Sequence, residues 1–554
     1  MKKIALLAIG CIAATLLWAK PARRGALVVT QEDGTEAIVY QHGDERFHWT
    51  TNEAGEWIAQ DANGKWQPVS ALSDEQIQAR REASKFTIAE QTQMRKQAAT
   101  QTAVKTNIAE RGLVILVNFT DQVFEATKAE MDSMHNGYNY SRDYIYTYIE
   151  NRKTYTDTIH SEGSARQYFY EASFGQYNPK FDVVGPVTVS RKYSYYGADI
   201  SYGEDMHAEE MVYEACLLVD SLYPEIDFSI YDNDGDGEMD YVYVVYAGFG
   251  QADGGAANTI WPHSYWIHYA GYNLTIDGVR VDKYACGNEK NYVSKQHDGI
   301  GTFVHEFGHV LGLPDLYATD GSTHRTLGDW DVMDYGPYNN DGNTPPTYSA
   351  YERFFFGWLT PTIIKDTALL TLHDLYATNE AFLISTTDEH NLIGTDPDPT
   401  TFYLLENRQP NVWDKYLAGH GMMLTKVQYD YSKWYQNTVN NTKSKLGVDI
   451  IEAKANTLYD TNLPTDLFPA GATEYTGIKN HPIYNIQQTE DGLIKFAYLS
   501  PDAAEGIEEI ELSGENPVVA IYTITGMPVS LSSPLPSGLY IVKRQHSTEK
   551  VIIR

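Results

Sequence analysis

Basic residues and cysteines are scarce in this chain of 554 residues. The sequence contains 42 Lys and Arg against 74 Asp and Glu, so its formal charge at pH 7 is −32. A field of that sign repels phosphate backbones and anionic lipid surfaces, which excludes nucleic acid as a favoured partner. Cysteine occurs three times, once near the N-terminus. An oxidising exterior would permit the other two, Cys216 and Cys286, to form a disulfide.

Apolar runs long enough to cross a membrane are also missing. The N-terminus reads MKKIALLAIGCIAATLLWAK, in which two lysines precede an uncharged run, residues 4–18, that is too short to span a bilayer. This pattern is typical of a secretory signal peptide, which we expect over residues 1–20, with lipoprotein attachment through Cys11 as the alternative. We therefore expect a protein that is secreted or held at the outer cell surface, with no transmembrane segment in its mature form.

The length of the chain favours two to four domains over one compact core. Short alternating strands are followed by a polar, helix-favouring stretch, which indicates a cleavable pro-segment over residues 21–110. An ordinary N-terminal domain is the alternative. The stretch contains four basic residues at which a processing protease would cut an exposed linker: Arg80, Arg81, Arg95 and Lys96.

The rest of the chain divides by its pattern into three parts. RGLVILVNFTD, starting at Arg111, is typical of a buried strand, and mixed strand and helix patterns follow, which predicts an α+β main domain over residues 111–360. Strand-like pieces then replace the helical periodicity and predict a β-rich domain over residues 361–500. Three or more short strands separated by Gly and Pro predict a small C-terminal β-sandwich over residues 501–554.

The segment HEFGHVLGLPD, residues 305–315, has the spacing of a metal site. His305 and His309 are four residues apart, so on a helix they lie on one face and both imidazoles can reach one metal ion. Glu306 follows the first histidine and is placed to take a proton from a metal-bound water, which makes it the candidate general base. The motif therefore predicts a catalytic zinc site, and it makes residues 111–360 the catalytic domain.

The sequence also supports the helix that would carry this motif. Asp298 is available as its N-cap, and Gly312 falls where the helix would stop, because glycine tolerates left-handed backbone. Six apolar residues with helical spacing predict the face that packs against the core: Ile300, Phe303, Val304, Phe307, Val310 and Leu311.

Catalytic zinc usually has three protein ligands, and two residues compete for the third place. Asp315 lies three residues after Gly312, so the chain can fold it back onto the metal. Glu352, on a later predicted helix, is the alternative. Asp315 is favoured because HExxHxxGxxD fits the metzincin spacing with Asp in place of the usual His.

Downstream of the motif, GDWDVMDYG resembles the Met-turn of metzincins. Met333 would then be a packing residue beneath the zinc. Tyr335 is a candidate for donating its phenol hydrogen to the oxyanion of the tetrahedral intermediate, and a buried core tyrosine is the alternative.

A second metal site is indicated by YDNDGDGEMD. Asp232, Asp234 and Asp236 alternate before a glycine and Asp240 follows, which makes a cluster of hard oxygen ligands suited to calcium. The loop is not an EF-hand, because Tyr243 stands where a bidentate Glu is needed. We expect a structural calcium ion, with a solvated acidic turn as the alternative.

Beyond the zinc motif, the chain resembles the immune inhibitor A-like metallopeptidases, secreted bacterial zinc enzymes, over roughly residues 26–480. The segments that carry the resemblance include GDERFHW, ARQYFYEASFGQ, FDVVGPV, YDNDGDGEMDYVYVVYAGFGQ, IWPHSYW, HEFGHVLGLPDLY, WDVMDYG, YLLENRQ and LFPAG. The resemblance implies zinc ligands at His305, His309 and Asp315, with Glu306 catalytic. It also implies a propeptide and bound calcium.

The last fifty or so residues resemble the C-terminal sorting domain of type IX secretion cargo, with GLYIVKR and EKVIIR as the matching strands. This resemblance implies that the type IX secretion machinery exports the protein across an outer membrane. The sorting domain would then be removed or exchanged for a surface anchor.

These patterns together predict a secreted zinc endopeptidase, made as a zymogen, that acts on protein or peptide substrates. A zinc-activated water would hydrolyse the peptide bond, with Glu306 as general base. The alternative from another class is a non-catalytic surface adhesin on a peptidase scaffold, against which the intact Glu306 argues. A zinc hydrolase that acts on another amide or ester is a third hypothesis, and the family resemblance disfavours it.

Overall fold

A computed structural model describes residues 19–31, 34–61, 64–82, 110–150, 153–199, 203–387, 390–503, 518–523, 528–529, 538–545 and 547–553. Their strands are β1 (Leu27–Thr30), β2 (Glu36–Asp44), β3 (Phe47–Thr51), β4 (Trp57–Gln60), β5 (Trp66–Pro68), β6 (Arg111–Asn118), β7 (Ser141–Glu150), β8 (Lys153–Glu162), β9 (Lys180–Thr188), β10 (Val242–Phe249), β11 (His263–Trp266), β12 (Leu274–Ile276), β13 (Val279–Val281), β14 (Lys283–Lys290), β15 (Thr362–Ile363), β16 (Ala368–Leu372), β17 (Phe382–Ile384), β18 (Thr401–Arg408), β19 (Gly421–Gln428), β20 (Val448–Ile450), β21 (Ile483–Gln488), β22 (Ile494–Tyr498), β23 (Val518–Thr523), β24 (Pro528–Val529), β25 (Gly538–Arg544) and β26 (Thr548–Ile553). Their α-helices are α1 (Asp74–Glu82), α2 (Lys128–Asn136), α3 (Ala165–Ala172), α4 (Tyr193–Tyr196), α5 (Ala208–Leu222), α6 (Gly301–Val310), α7 (Ala350–Phe355), α8 (Leu375–Thr378) and α9 (Tyr431–Tyr435).

The N-terminal part of the chain forms an antiparallel sheet in the order β1-β2-β3-β4-β5, followed by α1. Arg81 on that helix is 3% exposed and its Nη1 lies 2.8 Å from Oδ2 of Asp44 on the sheet. The expectation of an accessible cleavage point is therefore wrong for Arg81, because this ion pair buries it. Arg95 and Lys96 lie outside the described residues, as does most of the predicted signal peptide.

The sheet that supports the functional site has the order β11-β14-β10-β6-β9. Strands β14, β10, β6 and β9 run parallel to one another, and β11 pairs antiparallel with β14 at one edge. The predicted strand RGLVILVNFTD is β6, near the middle of the sheet, and its residues 112–117 are all buried. A continuous apolar run suits such a strand because both faces of a parallel sheet are covered.

Alternate residues of β6 belong to two different cores. Val114 and Leu116 pack with the apolar face of α6, while Leu113, Ile115 and Val117 pack with α5 on the opposite face. The central sheet therefore lies between two helices, and α6 is held on one face of it. This is a mixed α/β arrangement.

The region after residue 361 is rich in strands. A sheet in the order β15-β17-β18-β19-β20 and a second in the order β16-β22-β21 enclose a third core. Near the C-terminus, the described residues form an antiparallel sheet in the order β24-β23-β25-β26. A second layer, which a sandwich would need, is not among the described residues.

None of the helices in the described part of the chain combines the length and the apolar character that crossing a membrane requires.

Candidate metal and catalytic site

Helix α6 carries the motif residues and is buried along its whole length. The six apolar residues expected to support it are all buried. Its N-cap is Ile300, so the expectation of an Asp298 cap is wrong. Asp298 is buried in the core instead, where its Oδ2 accepts a hydrogen bond of 2.9 Å from the Thr302 hydroxyl.

The two histidine rings are each fixed through Nδ1. Nδ1 of His305 lies 2.7 Å from the carbonyl oxygen of Val332, and Nδ1 of His309 lies 2.9 Å from that of Leu313. Because a carbonyl oxygen only accepts, each Nδ1 carries a hydrogen and each neutral ring presents the lone pair of its Nε2. The two Nε2 atoms lie 3.2 Å apart, so both lone pairs converge on one small space.

Asp315 reaches the same space from the loop after the helix. Gly312 has a φ of +105° and turns the chain back at this point. Oδ1 of Asp315 then lies 3.4 Å from Nε2 of His305 and 3.3 Å from Nε2 of His309. Asn437 orients Asp315 from the β-rich region: it accepts the backbone N–H of Asp315 at 2.7 Å and donates to Oδ2.

This group of donors fits a divalent cation. All three side chains are fully buried, and Oδ1 of Asp315 makes no hydrogen bond among the described residues. Two lone pairs and a carboxylate oxygen in a buried space repel one another unless a cation lies between them. The donor atoms lie within 4.8 Å of one another, and two imidazoles with a carboxylate are ligands that catalytic zinc takes. Burial raises the pKa of Asp315, but the facing His309 and His305 outweigh it and hold the pKa at about 2.

Met333 lies under the helix at the point where the two histidines are joined. A Cβ built on Gly308 would lie 2.7 Å from the Met333 sulfur and 3.2 Å from the Tyr348 hydroxyl. Only a residue without a side chain permits this approach, and Met333 itself is fully buried. The methionine therefore packs against α6 between His305 and His309, and its role as the floor of a zinc site stays a prediction.

Glu306 is buried beside the cluster. Its Oε1 accepts the backbone N–H of Lys20 at 3.1 Å, and its Oε2 makes no hydrogen bond among the described residues. Burial raises the pKa of Glu306 to about 8, against the lowering effect of His305. A carboxyl group whose pKa is near neutrality can both accept and release a proton at working pH.

The N-terminal segment of the chain itself crosses this site. The peptide unit between Ala19 and Lys20 donates its N–H to Glu306, and its carbonyl oxygen accepts a hydrogen bond of 2.6 Å from the Tyr317 hydroxyl. One peptide unit is thus held at both ends. Sequence reasoning missed Tyr317, although it lies only two residues beyond the motif in HEFGHVLGLPDLY.

The other two sequence candidates lie elsewhere. The ring of Tyr335 is covered by the guanidinium of Arg24, whose central carbon is 3.3 Å from the ring centroid. Glu352 closes a capping box at the start of α7, where its carboxylate accepts the backbone N–H of Ser349 at 2.6 Å. The structure therefore brings Asp315, and not Glu352, to the histidine pair.

The acidic loop forms a second cluster. Carboxylate oxygens of Asp232, Asp234 and Asp236 lie within 4.8 Å of one another. Asp240, the fourth predicted calcium ligand, is not part of this cluster among the described residues. Its Oδ2 accepts the backbone N–H of Asn233 at 3.0 Å.

The two cysteines of the main domain do not pair with each other. Cys216 on α5 and Cys286 on β14 are buried free thiols in the core beside the central sheet. Burial raises the pKa of Cys216 to about 12, so its thiol stays protonated and unreactive.

Two imidazoles and a carboxylate, with a buried glutamate on the same helix, are the side chains that metal-dependent hydrolases use. Comparison with known families narrows this class. Residues 96–358 match the family model described as the immune inhibitor A peptidase M6, catalytic domain. The resemblance seen in the sequence is confirmed in this coarser form: residues 96–358 are similar to a peptidase M6 catalytic domain, which supports a metallopeptidase.

Curated relatives agree with this family. The chain is 30% identical over 277 residues to "Immune inhibitor A" of Bacillus thuringiensis subsp. alesti. The aligned stretch covers 44% of this chain and 39% of the relative. It is 29% identical over 216 residues to "Pre-pro-metalloprotease PrtV" of Vibrio cholerae serotype O1, which covers 35% of this chain and 23% of the relative. The matches therefore span less than two fifths of the length of these proteins.

Proposed function

We propose that this protein is a secreted zinc-dependent endopeptidase of the metzincin type, made as a latent precursor. The observation that carries the proposal is the peptide unit between Ala19 and Lys20, held by Glu306 and Tyr317 beside the three candidate metal ligands. A substrate peptide bound in the same way would meet a proton acceptor and a hydrogen-bond donor at once. The peptidase M6 match over residues 96–358 supports the same reaction class.

His305, His309 and Asp315 would hold the zinc ion, which when bound polarises the scissile carbonyl and acidifies a water molecule. Hydrolysis breaks the C–N bond of the peptide: the water oxygen joins the carbonyl carbon, and the amine nitrogen gains a proton. Glu306 accepts a proton from the attacking water and delivers it to the leaving nitrogen. The Lys20 nitrogen, 3.1 Å from Oε1, marks where that leaving nitrogen would lie.

Tyr317 is placed to stabilise the oxygen of the scissile carbonyl. Its hydroxyl donates to the carbonyl oxygen of Ala19, and a hydrogen bond of this kind strengthens as the oxygen gains negative charge in the tetrahedral intermediate. Tyr335 remains a second candidate for this role once the N-terminal segment, with Arg24, has left the cleft.

Latency would follow from the position of the N-terminal segment. Residues 19–24 occupy the cleft, and the backbone N–H of Ala22 bonds to the carbonyl oxygen of Gly43 on the N-terminal sheet. That sheet is anchored in turn through Arg81, whose Nη1 donates to the carbonyl oxygen of Thr319 at 2.6 Å. A substrate cannot enter until this segment is removed, so the propeptide predicted over residues 21–110 is proposed to begin at Ala19 instead.

The remaining functional hypotheses concern export and the acidic loop. Export by a signal peptide that ends before Ala19, and not at residue 20 as the sequence suggested, is part of the proposal, because Ala19 and Lys20 occupy the cleft of the precursor. Export by a type IX sorting domain over residues 501–554 is also part of it. So is a structural calcium ion held by Asp232, Asp234 and Asp236. The names of the relatives, a pre-pro-metalloprotease among them, support a secreted precursor.

A casein-cleavage assay on the secreted, processed protein tests the proposal. Full activity is expected with zinc, loss of activity after treatment with a chelator, and recovery when zinc is returned. Calcium added alone to the chelated protein serves as the control and should not restore cleavage. Unchanged cleavage after complete zinc removal would refute the metal-dependent mechanism.

A further inference from the structure

We propose that the enzyme prefers lysine on the amine side of the bond that it cleaves, and that Asp253 binds the lysine ammonium group. The inference rests on the proposed peptidase function and names the substrate preference of the same site. Its evidence is the way the chain's own Lys20 is bound.

The position of Lys20 relative to the cleaved bond follows from its backbone. Glu306 delivers a proton to the nitrogen of the bond that breaks, and that carboxylate holds the nitrogen of Lys20. Tyr317 holds the carbonyl of the same peptide unit on the other side, from Ala19. Lys20 therefore stands where the residue on the amine side of a substrate would bind, and its side chain enters the pocket for that residue.

The Lys20 side chain ends in a buried acidic pocket. Its Nζ lies 2.8 Å from Oδ1 of Asp253 and 2.8 Å from Oγ1 of Thr302, and 4.5 Å from the ring centroid of Tyr338. Lys20 is 2% exposed and Asp253 is fully buried. Removing a lysine and a carboxylate from water together is costly unless their geometry is good, so the pair contributes selectivity more than raw affinity.

The pocket does not depend on Lys20 for its shape. Oδ2 of Asp253 accepts a hydrogen bond of 3.0 Å from Asn288 on β14. The Thr302 hydroxyl donates its hydrogen to Asp298, which leaves its lone pairs facing the ammonium group. The acceptors therefore stay aimed into the pocket when the N-terminal segment is gone.

The pocket is also fixed relative to the catalytic group. Thr302 lies on α6 one turn before Glu306, so one helix sets the distance between the Thr302 hydroxyl, which contacts the ammonium group, and the base. An apolar side chain in the pocket would leave the Asp253 carboxylate buried without a cation. Sites built around such a polar contact reject analogues that lack it far more strongly than sites that read only size.

Two peptides that differ at one residue test this inference on the secreted, zinc-loaded enzyme. They have lysine or norleucine after the cleaved bond, so they share the alkyl stem and differ in the ammonium group. We expect kcat/KM to be at least tenfold higher for the lysine peptide. Asp253→Asn should reduce this ratio to below threefold, and Thr302→Val, which keeps the shape of its side chain, should reduce it as well.

Asp220→Asn is the matched control, because it removes the same charge from an exposed position on α5 and should leave the ratio unchanged. A ratio near one in the unmodified enzyme, or a tenfold ratio that persists in Asp253→Asn, would overturn the inference while leaving the peptidase function intact. If no peptide or protein is cleaved with zinc bound, the proposed function fails.

The pocket is then tested by binding of the same two peptides to the secreted protein, measured by fluorescence anisotropy. Tenfold tighter binding of the lysine peptide would support the pocket, and equal binding would refute it.

Discussion

At the scale of single residues, two tyrosines are candidates for the hydrogen bond to the oxygen of the scissile carbonyl. Tyr317→Phe is expected to lower kcat for a casein peptide by about 10²-fold, because one hydrogen-bond donor to the developing oxyanion is lost. Tyr335→Phe removes the same hydroxyl from the other candidate and should cost less than tenfold. Steady-state kinetics of the two variants decide between them. A larger loss for Tyr335→Phe would move the role to that residue.

Asn437 acts on the metal site through Asp315. Asn437→Ala is expected to weaken zinc binding by about 10- to 100-fold, since residues that orient a metal ligand typically have effects of this size. Competition with a fluorescent chelator measures the change. Asn441→Ala is the matched control, because Asn441 bonds to Thr319 in the same pair of loops. Equal zinc affinity in Asn437→Ala and the unmodified protein would contradict the role.

The sequence could reveal the candidate ligands and the base because one helix and its turn determine their spacing. His305, Glu306 and His309 need only the helical repeat, and Asp315 needs only the turn at Gly312. Asn437 comes from 122 residues further along the chain, and no local pattern indicates that it would meet Asp315. Tyr317 lies close to the motif in the sequence. Its role as a hydrogen-bond donor cannot be predicted from the motif, because the acceptor is the carbonyl oxygen of Ala19 in a distant segment.

At the scale of elements, the contact between α6 and Met333 predicts that Gly308→Ala destabilises the fold, whereas the same change in an exposed helix would stabilise it. Gly308→Ala would stabilise an exposed helix by about 1 kcal/mol. Here the new Cβ would lie 2.7 Å from the Met333 sulfur, so overpacking should lower the free energy of unfolding by about 1–3 kcal/mol. Urea unfolding measures the change. In the double variant with Met333→Ala the cost of the new Cβ should largely disappear, and a stabilised single variant would contradict the contact.

Docking of the N-terminal sheet depends on α1. Arg81→Ala removes the closer of two cations beside the buried carboxylate of Asp44 and leaves Arg46, 3.7 Å away. The cost should therefore stay below the about 3–5 kcal/mol of a buried pair that loses its sole cation. We expect the full-length precursor to become active sooner, measured as the lag before casein cleavage begins. Arg80→Ala, at the neighbouring half-buried position, is the control and should keep a near-normal lag. An unchanged lag in Arg81→Ala would separate this ion pair from latency.

Pattern reasoning located elements better than it explained their ends. The buried strand at Arg111 and the apolar face of α6 follow from hydrophobic spacing alone. The expected Asp298 cap fails because its carboxylate accepts a hydrogen bond from the Thr302 hydroxyl inside the core. Thr302 is only four residues further along the chain, but the sequence does not distinguish this contact from a helix cap. The sequence places Arg81 in a linker because its buried partner, Asp44, lies on a strand 37 residues earlier in the chain.

At the scale of the whole molecule, three regions of the chain meet at one site. The central sheet holds α6, the β-rich region contributes Asn437, and the N-terminal segment contributes Lys20. The residue patterns of the sequence separate these three regions. They cannot indicate that the regions contribute to one site, because that depends on long-range packing. The acidic surface implied by a charge of −32 is a separate property, which bears on solubility rather than on the fold.

The central claim is that zinc and Glu306 together cleave peptide bonds. It is tested most directly by casein cleavage and zinc content measured on the same preparations of the processed protein and of Glu306→Gln. The account predicts about one zinc ion per chain in both and a fall in kcat of at least 10²-fold in the variant, since general acid–base catalysis typically contributes about 10²- to 10⁴-fold. Unchanged cleavage by a zinc-loaded Glu306→Gln protein would contradict it.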